Sequence, residues 1–362
     1  MVFRTAIIVA LVCVCYRSLY LWLVARGVGV HFNEHHPGQC SVIPGISCGS
    51  EKIVVAKRNS NQGLAFITNG FKGFTRCSKE TTQGNIYTFD FKNPDVGAVK
   101  LNIDHSEIWQ SFDPHGIDLV ENEKDNTIKL YVVNHAKLTE SVEVFLFDPQ
   151  QPKSLKHLNT IRDKSFVCLN DITMLNENEF YVTNWIKYCH YPMVVPALEL
   201  FLGVETGSVV YYDGNKGEVI ERGQGLNGIA QSKDSKQLLV VSCSTTFLHV
   251  YEISNSPSKL KLIEKIDLIY YGDNIYTDFL TGDYYVGVQK KVIKLLLAVK
   301  NQTRFAPSTG VRVHQRNGVY EVEEVLHDSG RSFVHGVSSF VHYKNQYLLG
   351  TIFHDFGYCK KD

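Results

Sequence analysis

The chain predicts an all-β fold: a six-bladed β-propeller with an N-terminal hydrophobic anchor helix and short helices over the channel mouth. Three observations carry that reading. Tyr (19) and Phe (20) are plentiful while Met is only 3, and Val, Ile and Thr are common, a bias toward strands. Six segments repeat one form, a polar residue, a small or polar residue, then an apolar strand start: Gln62-Gly63-Leu64, His115-Gly116-Ile117, Asn170-Asp171-Ile172, Asn227-Gly228-Ile229, Asp273-Asn274-Ile275 and His335-Gly336-Val337. Their middle residues are 53, 55, 57, 46 and 62 apart, and most are followed by a polar turn and a second apolar run, as at 128–134, 180–184, 238–242 and 347–351. About four strands per unit of roughly fifty residues is the period of a propeller blade. A β-sandwich is the competing arrangement of evenly spaced strands.

Before the first repeat, residues 5–25 form a mostly apolar stretch, 21 long, interrupted by Arg17. That is about the length of a bilayer span, and no convincing small-x-small cleavage site precedes Arg26. Residues 1–26 therefore read as a signal anchor or a signal peptide, with an interfacial helix as a third option, and residues 27–362 as the propeller. Each option places the body in the secretory pathway, either membrane-anchored with a lumenal or extracellular propeller, or secreted. The nine cysteines include no Cys-x-x-Cys pair and no zinc spacing. Cys40 and Cys359 bracket nearly the whole soluble chain, and a bridge between them would tie the two ends of a closed fold in an oxidising compartment. Asn301-Gln302-Thr303 is a glycosylation sequon, with Asn301 as acceptor. Lys+Arg and Asp+Glu balance at 37 each, which excludes a strongly basic nucleic-acid binder and an acidic tail.

The repeated polar residue opens the first strand of its unit, the strand nearest a propeller's axis. Gln62, His115, Asn170, Asn227, Asp273 and His335 should then ring one mouth of the channel. With their neighbours they offer the oxygens of Asn170, Asp171, Asn227, Asp273 and Asn274, with no cysteine among them. An all-oxygen set with several amides suits calcium better than zinc or iron. His115 and His135 are the titratable groups near it, and histidine is the natural base near neutral pH.

Gly49-Ser50-Glu51, Gly63-Leu-Ala-Phe-Ile67, Phe112-Asp-Pro-His-Gly-Ile117, Leu130-Tyr-Val-Val-Asn-His135, Leu169-Asn-Asp-Ile172, Asn227-Gly-Ile229, Asp273-Asn-Ile275 and Gly350-Thr-Ile-Phe-His354, in this order and spacing, resemble the serum paraoxonase/arylesterase family over about residues 38–360. The resemblance implies a six-bladed propeller with two calcium ions. The catalytic ion would be held by Glu51, Asn170, Asn227, Asp273 and Asn274, with His115 and His135 as the histidine pair and Cys40–Cys359 as the ring-closing disulfide. It also implies hydrolysis of aryl esters and lactones. Beside Glu51 the family has an acidic residue that helps hold a second, structural calcium with the residue matching Asp171; here it is Lys52. A lysine cannot ligate calcium but can pair with Asp171, so one calcium per chain is expected. The apolar stretch 192–203 matches a helix that covers the family's active-site mouth and touches lipid; Pro196 within it allows only a short helix. The expected partners are a small ester or lactone and a membrane or lipid surface, and no nucleic acid. The alternative is a non-catalytic, membrane-anchored propeller that assists folding or assembly of membrane-protein clients.

Overall fold

The computed structural model describes residues 33–361 except 47–48, 59–61, 71–82, 105–110, 136–138, 193, 255, 302–303 and 354–355, and before residue 33 only residues 16, 23 and 27–29. The segment read as an anchor, and Cys13, Cys15, Cys48 and Cys77, lie outside the described residues. Among the described residues no helix is long and apolar enough to cross a membrane.

Six sheets are arranged as six blades. Their inner strands are Ile53–Val55, Pro114–Glu121, Leu169–Met174, Leu226–Gln231, Tyr271–Thr277 and Val337–Tyr343. Each inner strand packs against the inner strands of the blades before and after it, so the six close into a ring. Within each blade the sequence steps outward by antiparallel hairpins. The blade built on Pro114–Glu121 adds a fifth, parallel strand, Asn102–Ile103, at its rim.

Closure is made by both ends of the chain. Gln39–Val42 pairs antiparallel with Gly357–Lys360, so the last blade takes its outermost strand from the N-terminal side. Cys40 and Cys359 are directly opposite in that register and form a disulfide across 319 residues of sequence.

Strand composition follows depth in the blade. Middle strands are sandwiched between neighbouring blades and are buried on both faces, as in Gln237–Ser242 and Gln346–Thr351. The outer strand Leu260–Asp267 is mostly exposed and carries Lys261, Glu264, Lys265 and Asp267. The core lies between blades: Phe66 of the first blade meets Phe147 of the second edge to face, with centroids 5.1 Å apart, amid Ile86, Ile117, Leu130 and Phe145. Truncating such a ring to alanine costs about 3–5 kcal/mol.

The repeat motifs mark the inner strands in five of the six blades. Gln62-Gly63 does not: the first inner strand is Ile53–Val55, and Gln62 precedes the second strand, Leu64–Asn69. The residues in register with the other motifs are Glu51 and Lys52, which head the first inner strand. The expected ring therefore holds with Glu51 in place of Gln62.

Two helices follow the ends of second strands. α1 (Val194–Leu202) follows Phe180–Asn184, and α2 (Val292–Lys300) follows Tyr284–Gln289. A second strand runs antiparallel to the inner strand, so it ends where the inner strand's motif begins. Both helices thus lie at the motif end of the channel. Pro196 does not precede α1 but sits in its first turn, where a missing N–H costs nothing. Along α1, Val194, Leu198 and Leu202 are exposed (50–67%), one per turn on one face. Gly27 packs against the backbone of Lys290 at the head of α2, too close for a side chain, so the chain enters the propeller at this same end.

Candidate metal centre and histidine dyad

The local backbone explains why the motif residues face the channel. The ladder between inner and second strand slips at four of the motifs: between Pro114 and Ile117, Leu169 and Ile172, Leu226 and Ile229, and Gly272 and Ile275. Such bulges release two residues from pairing and re-aim their side chains. Where the second of the two is glycine, the reason is proximity. A Cβ on Gly116 would lie 2.6 Å from the Asn170 carbonyl oxygen, and one on Gly228 would lie 2.6 Å from that of Asp273. The bulges are tied blade to blade by second-strand hydroxyls. Thr68 Oγ1 donates to the His115 carbonyl and Thr183 Oγ1 to the Asn227 carbonyl, each at 2.7 Å.

The five residues of the expected calcium set head neighbouring inner strands. Asn274 Nδ2 donates to Glu51 Oε1 at 2.6 Å and to the Glu51 carbonyl at 3.1 Å, and Asn227 hydrogen-bonds Asp273. Four side-chain oxygens of this set are buried without a hydrogen-bond donor: Glu51 Oε2, Asn170 Oδ1, Asn227 Oδ1 and Asn274 Oδ1. An orphaned buried acceptor costs about 1–3 kcal/mol, and four at one point are not accounted for by packing. Burial and the neighbouring Glu51 carboxylate push Asp273 well above the usual carboxylate range. Burial also acts on Glu51, but the charge of nearby His115 and the hydrogen bond from Asn274 bring it below its ordinary value. Two carboxylates and three amide oxygens, with four side-chain oxygens of the set unmatched by donors, fit a hard divalent cation such as calcium.

The neighbouring position is closed from within. The Lys52 ammonium is buried and lies 2.5 Å from Asp171 Oδ2 and 2.9 Å from the Ile275 carbonyl. Asp171 also accepts from the backbone N–H groups of Ile172 and Ile229, both at 2.9 Å. Its carboxyl is raised by burial, against the pull of Lys52 and these donors. Asp171 therefore faces an ammonium of the chain's own.

His115 and His135 meet as expected, Nδ1 to Nε2, at 2.9 Å. Asn134, the last residue of Ile128–Asn134, pairs with Pro114, which brings the next residue, His135, beside His115. His115 Nε2 lies 3.5 Å from Glu51 Oε1, so the dyad adjoins the oxygen set. Sequence reasoning missed the next group: Glu140, buried, places Oε2 2.8 Å from His135 Nδ1. It missed His190 as well, whose Nε2 lies 3.1 Å from Glu140 Oε1. Neither belongs to a repeat motif, so periodicity could not reveal them. A second disulfide, Cys168–Cys189, ties the residue beside His190 to the residue before Leu169. Cys243 is free, with its thiol pushed up to about 11 by burial and by Asp273, which makes it a poor nucleophile. Asn301 is exposed at the end of α2.

The molecule is thus a six-bladed propeller whose channel mouth sets unmatched oxygens beside a histidine dyad. The chain belongs to the Arylesterase family, whose model matches residues 31–361. It is 32% identical over 330 residues to serum paraoxonase/lactonase 3 of Oryctolagus cuniculus, covering 89% of each chain. It is 32% identical over 338 residues to serum paraoxonase/arylesterase 1 of Homo sapiens, covering 89% of this chain and 88% of that one. Among solved structures, a luciferin-regenerating enzyme superposes with a TM-score of 0.54 at 11% identity, covering 89% of this chain and 94% of that one. Aldose sugar dehydrogenase from Streptomyces coelicolor superposes with a TM-score of 0.50 at 11% identity, covering 90% and 99%. These two show the fold alone, and their different names illustrate that a propeller does not dictate chemistry.

Proposed function

We propose that the protein is a calcium-dependent hydrolase of aryl esters and lactones, working at the motif end of the channel. The observation that carries this is the set of four unmatched buried oxygens beside the His115–His135 pair. Family membership supplies the reaction class. Glu51, Asn170, Asn227, Asp273 and Asn274 would hold the ion, which when bound would polarise the substrate carbonyl and stabilise the developing oxyanion. His115 is the catalytic base. Its Nε2 faces the oxygen set, and it removes a proton from the attacking water. His135, 2.9 Å behind it, receives the proton from the His115 Nδ1 side. The ring of bulges holds these groups in place before substrate arrives, so little reorganisation is needed in the transition state.

The exposed apolar face of α1, together with entry of the chain at the same end, supports a lipid surface beside the channel mouth. The same face is the feature that favours the second reading, a platform for membrane-protein clients. Two disulfides support maturation in an oxidising, lumenal or extracellular compartment. The test is hydrolysis of phenyl acetate and of a γ- or δ-lactone by the purified protein. Turnover should be abolished by a chelator and restored by added calcium; turnover that survives complete calcium removal contradicts the reading.

A further inference from the structure

Resting on the hydrolase reading, we infer that Glu140 is a positioning residue of the histidine dyad: its carboxylate sets which ring nitrogens of His135 and His115 carry protons. Three contacts support this. Glu140 Oε2 lies 2.8 Å from His135 Nδ1 and accepts from the Leu169 N–H at 3.2 Å. Oε1 faces His190 Nε2 at 3.1 Å. The side chain is almost wholly buried, so its charge must be matched by these groups.

The consequence follows from donor and acceptor counting. An ionised carboxylate only accepts, so His135 Nδ1 carries a proton. In neutral His135 the other nitrogen, Nε2, then has a lone pair, and it faces His115 Nδ1 at 2.9 Å. With His135 neutral, His115 Nδ1 carries the proton of that bond; the Glu51 carboxylate, 3.5 Å from Nε2, is beyond ordinary hydrogen-bond distance, which leaves Nε2 of His115 as the basic atom on the channel side. When His115 Nε2 takes a proton from water, its Nδ1 proton passes to His135 Nε2. His135 becomes imidazolium beside the Glu140 carboxylate, His115 is neutral again, and hydroxide is left to attack. Without Glu140, His135 could as readily protonate Nε2, and His115 would then present an N–H to the channel. A carboxylate behind a catalytic histidine does the same work in serine hydrolases.

The surroundings agree. Burial alone would lower the basicity of His135, but Glu140, then Asp113 and Glu51, raise it above the ordinary value. His190 Nε2 hydrogen-bonds the Val167 carbonyl at 3.1 Å, so it approaches Glu140 Oε1 as a neighbour at 3.1 Å and leaves that oxygen without a hydrogen bond. The Cys168–Cys189 bridge staples the segment that carries it. The outer side of Glu140 and His190 opens on a cleft of about 490 Å³ that also bears Arg162, Asp163 and Lys164.

The experiment uses the full chain labelled with ¹⁵N in its histidine rings, in the wild type, E140Q, E140D and H190Q. Long-range ¹H–¹⁵N spectra report the tautomer of His135, and steady-state kinetics on phenyl acetate report kcat and KM. Wild-type His135 should be protonated at Nδ1. E140Q, which keeps the shape and loses the charge, should lower kcat about 10²-fold with KM little changed, and His135 should become a mixture of tautomers. E140D should recover part of kcat, and H190Q should lose less than E140Q. Wild-type His135 protonated only at Nε2, or E140Q with wild-type kcat, would overturn the assignment. If E140Q does not fold, the wild-type spectrum decides alone. If the wild type hydrolyses no ester or lactone, the hydrolase reading fails, while the spectrum still decides the role of Glu140.

Discussion

Two sets of side chains lie side by side in this channel, and consecutive residues serve them. Glu51 and Asn170 belong to the first; Lys52 and Asp171, the very next residues, belong to the second. In the first, four oxygens are buried with no donor to meet them. In the second, the one carboxylate is matched by a buried ammonium at 2.5 Å and by two backbone N–H groups. On the calcium reading proposed above, the difference teaches how a single lysine can turn a site for a foreign cation into an internal ion pair. Two positive charges do not share it. A divalent ion about 4 Å from an ammonium is opposed by roughly 8 kcal/mol at an effective dielectric of about 20. The first set, by contrast, leaves four oxygens without a donor, which the proposed ion would meet.

The largest effect should come from breaking the first position. Asp273→Ala removes one of two anionic ligands, and calcium affinity and ester hydrolysis should both collapse, by at least 10³-fold, as read by isothermal titration and steady-state rates. Normal turnover by the metal-depleted variant would end the comparison. Breaking the second position should act on stability instead. Lys52→Met leaves Asp171 as an uncompensated buried charge and should cost about 3–5 kcal/mol in denaturant unfolding. Asp171→Asn added to it should recover most of that loss, because no charge then remains. Lys52→Asp sharpens the contrast: it should admit a second calcium and raise Tm in excess calcium, since binding to the native state alone must stabilise it. A Tm of Lys52→Asp indifferent to calcium would show that the lysine is not what keeps the second ion out. The smallest effect concerns the mouth. Leu198→Asp with Leu202→Asp on the exposed face of α1 should weaken binding to phospholipid vesicles several-fold and leave calcium affinity unchanged. Unaltered vesicle binding would separate α1 from the lipid surface.

Much of this was legible in the residues because the propeller repeats. Five motifs fell at the head of inner strands; in four of them a bulge needs two residues that leave the ladder, and the crowded axis admits little beyond glycine, Asp or Asn as the second. The first blade escaped the pattern. Its inner strand is only Ile53–Val55, and Gln62-Gly63 imitates the motif one strand late. The resemblance through Glu51 corrected that where periodicity alone did not. The pairing of Lys52 with Asp171 could be foreseen from charge, but not its second contact, the Ile275 carbonyl, which depends on how the inner strands crowd at the axis. Glu140, His190 and the Cys168–Cys189 bridge were illegible. They sit in connections between strands, where spacing carries no period, and only the folded chain brings residues 51, 115, 135, 140 and 190 into one line of contacts.

The central claim is that this channel holds one calcium and supplies the other cation itself. Anomalous diffraction from crystals of the full chain grown in calcium tests it most directly. The account predicts a single calcium peak per chain, among Glu51, Asn170, Asn227, Asp273 and Asn274, with the Lys52 ammonium on Asp171. A second peak on Asp171, with Lys52 turned away, or no peak within the first set, would contradict it.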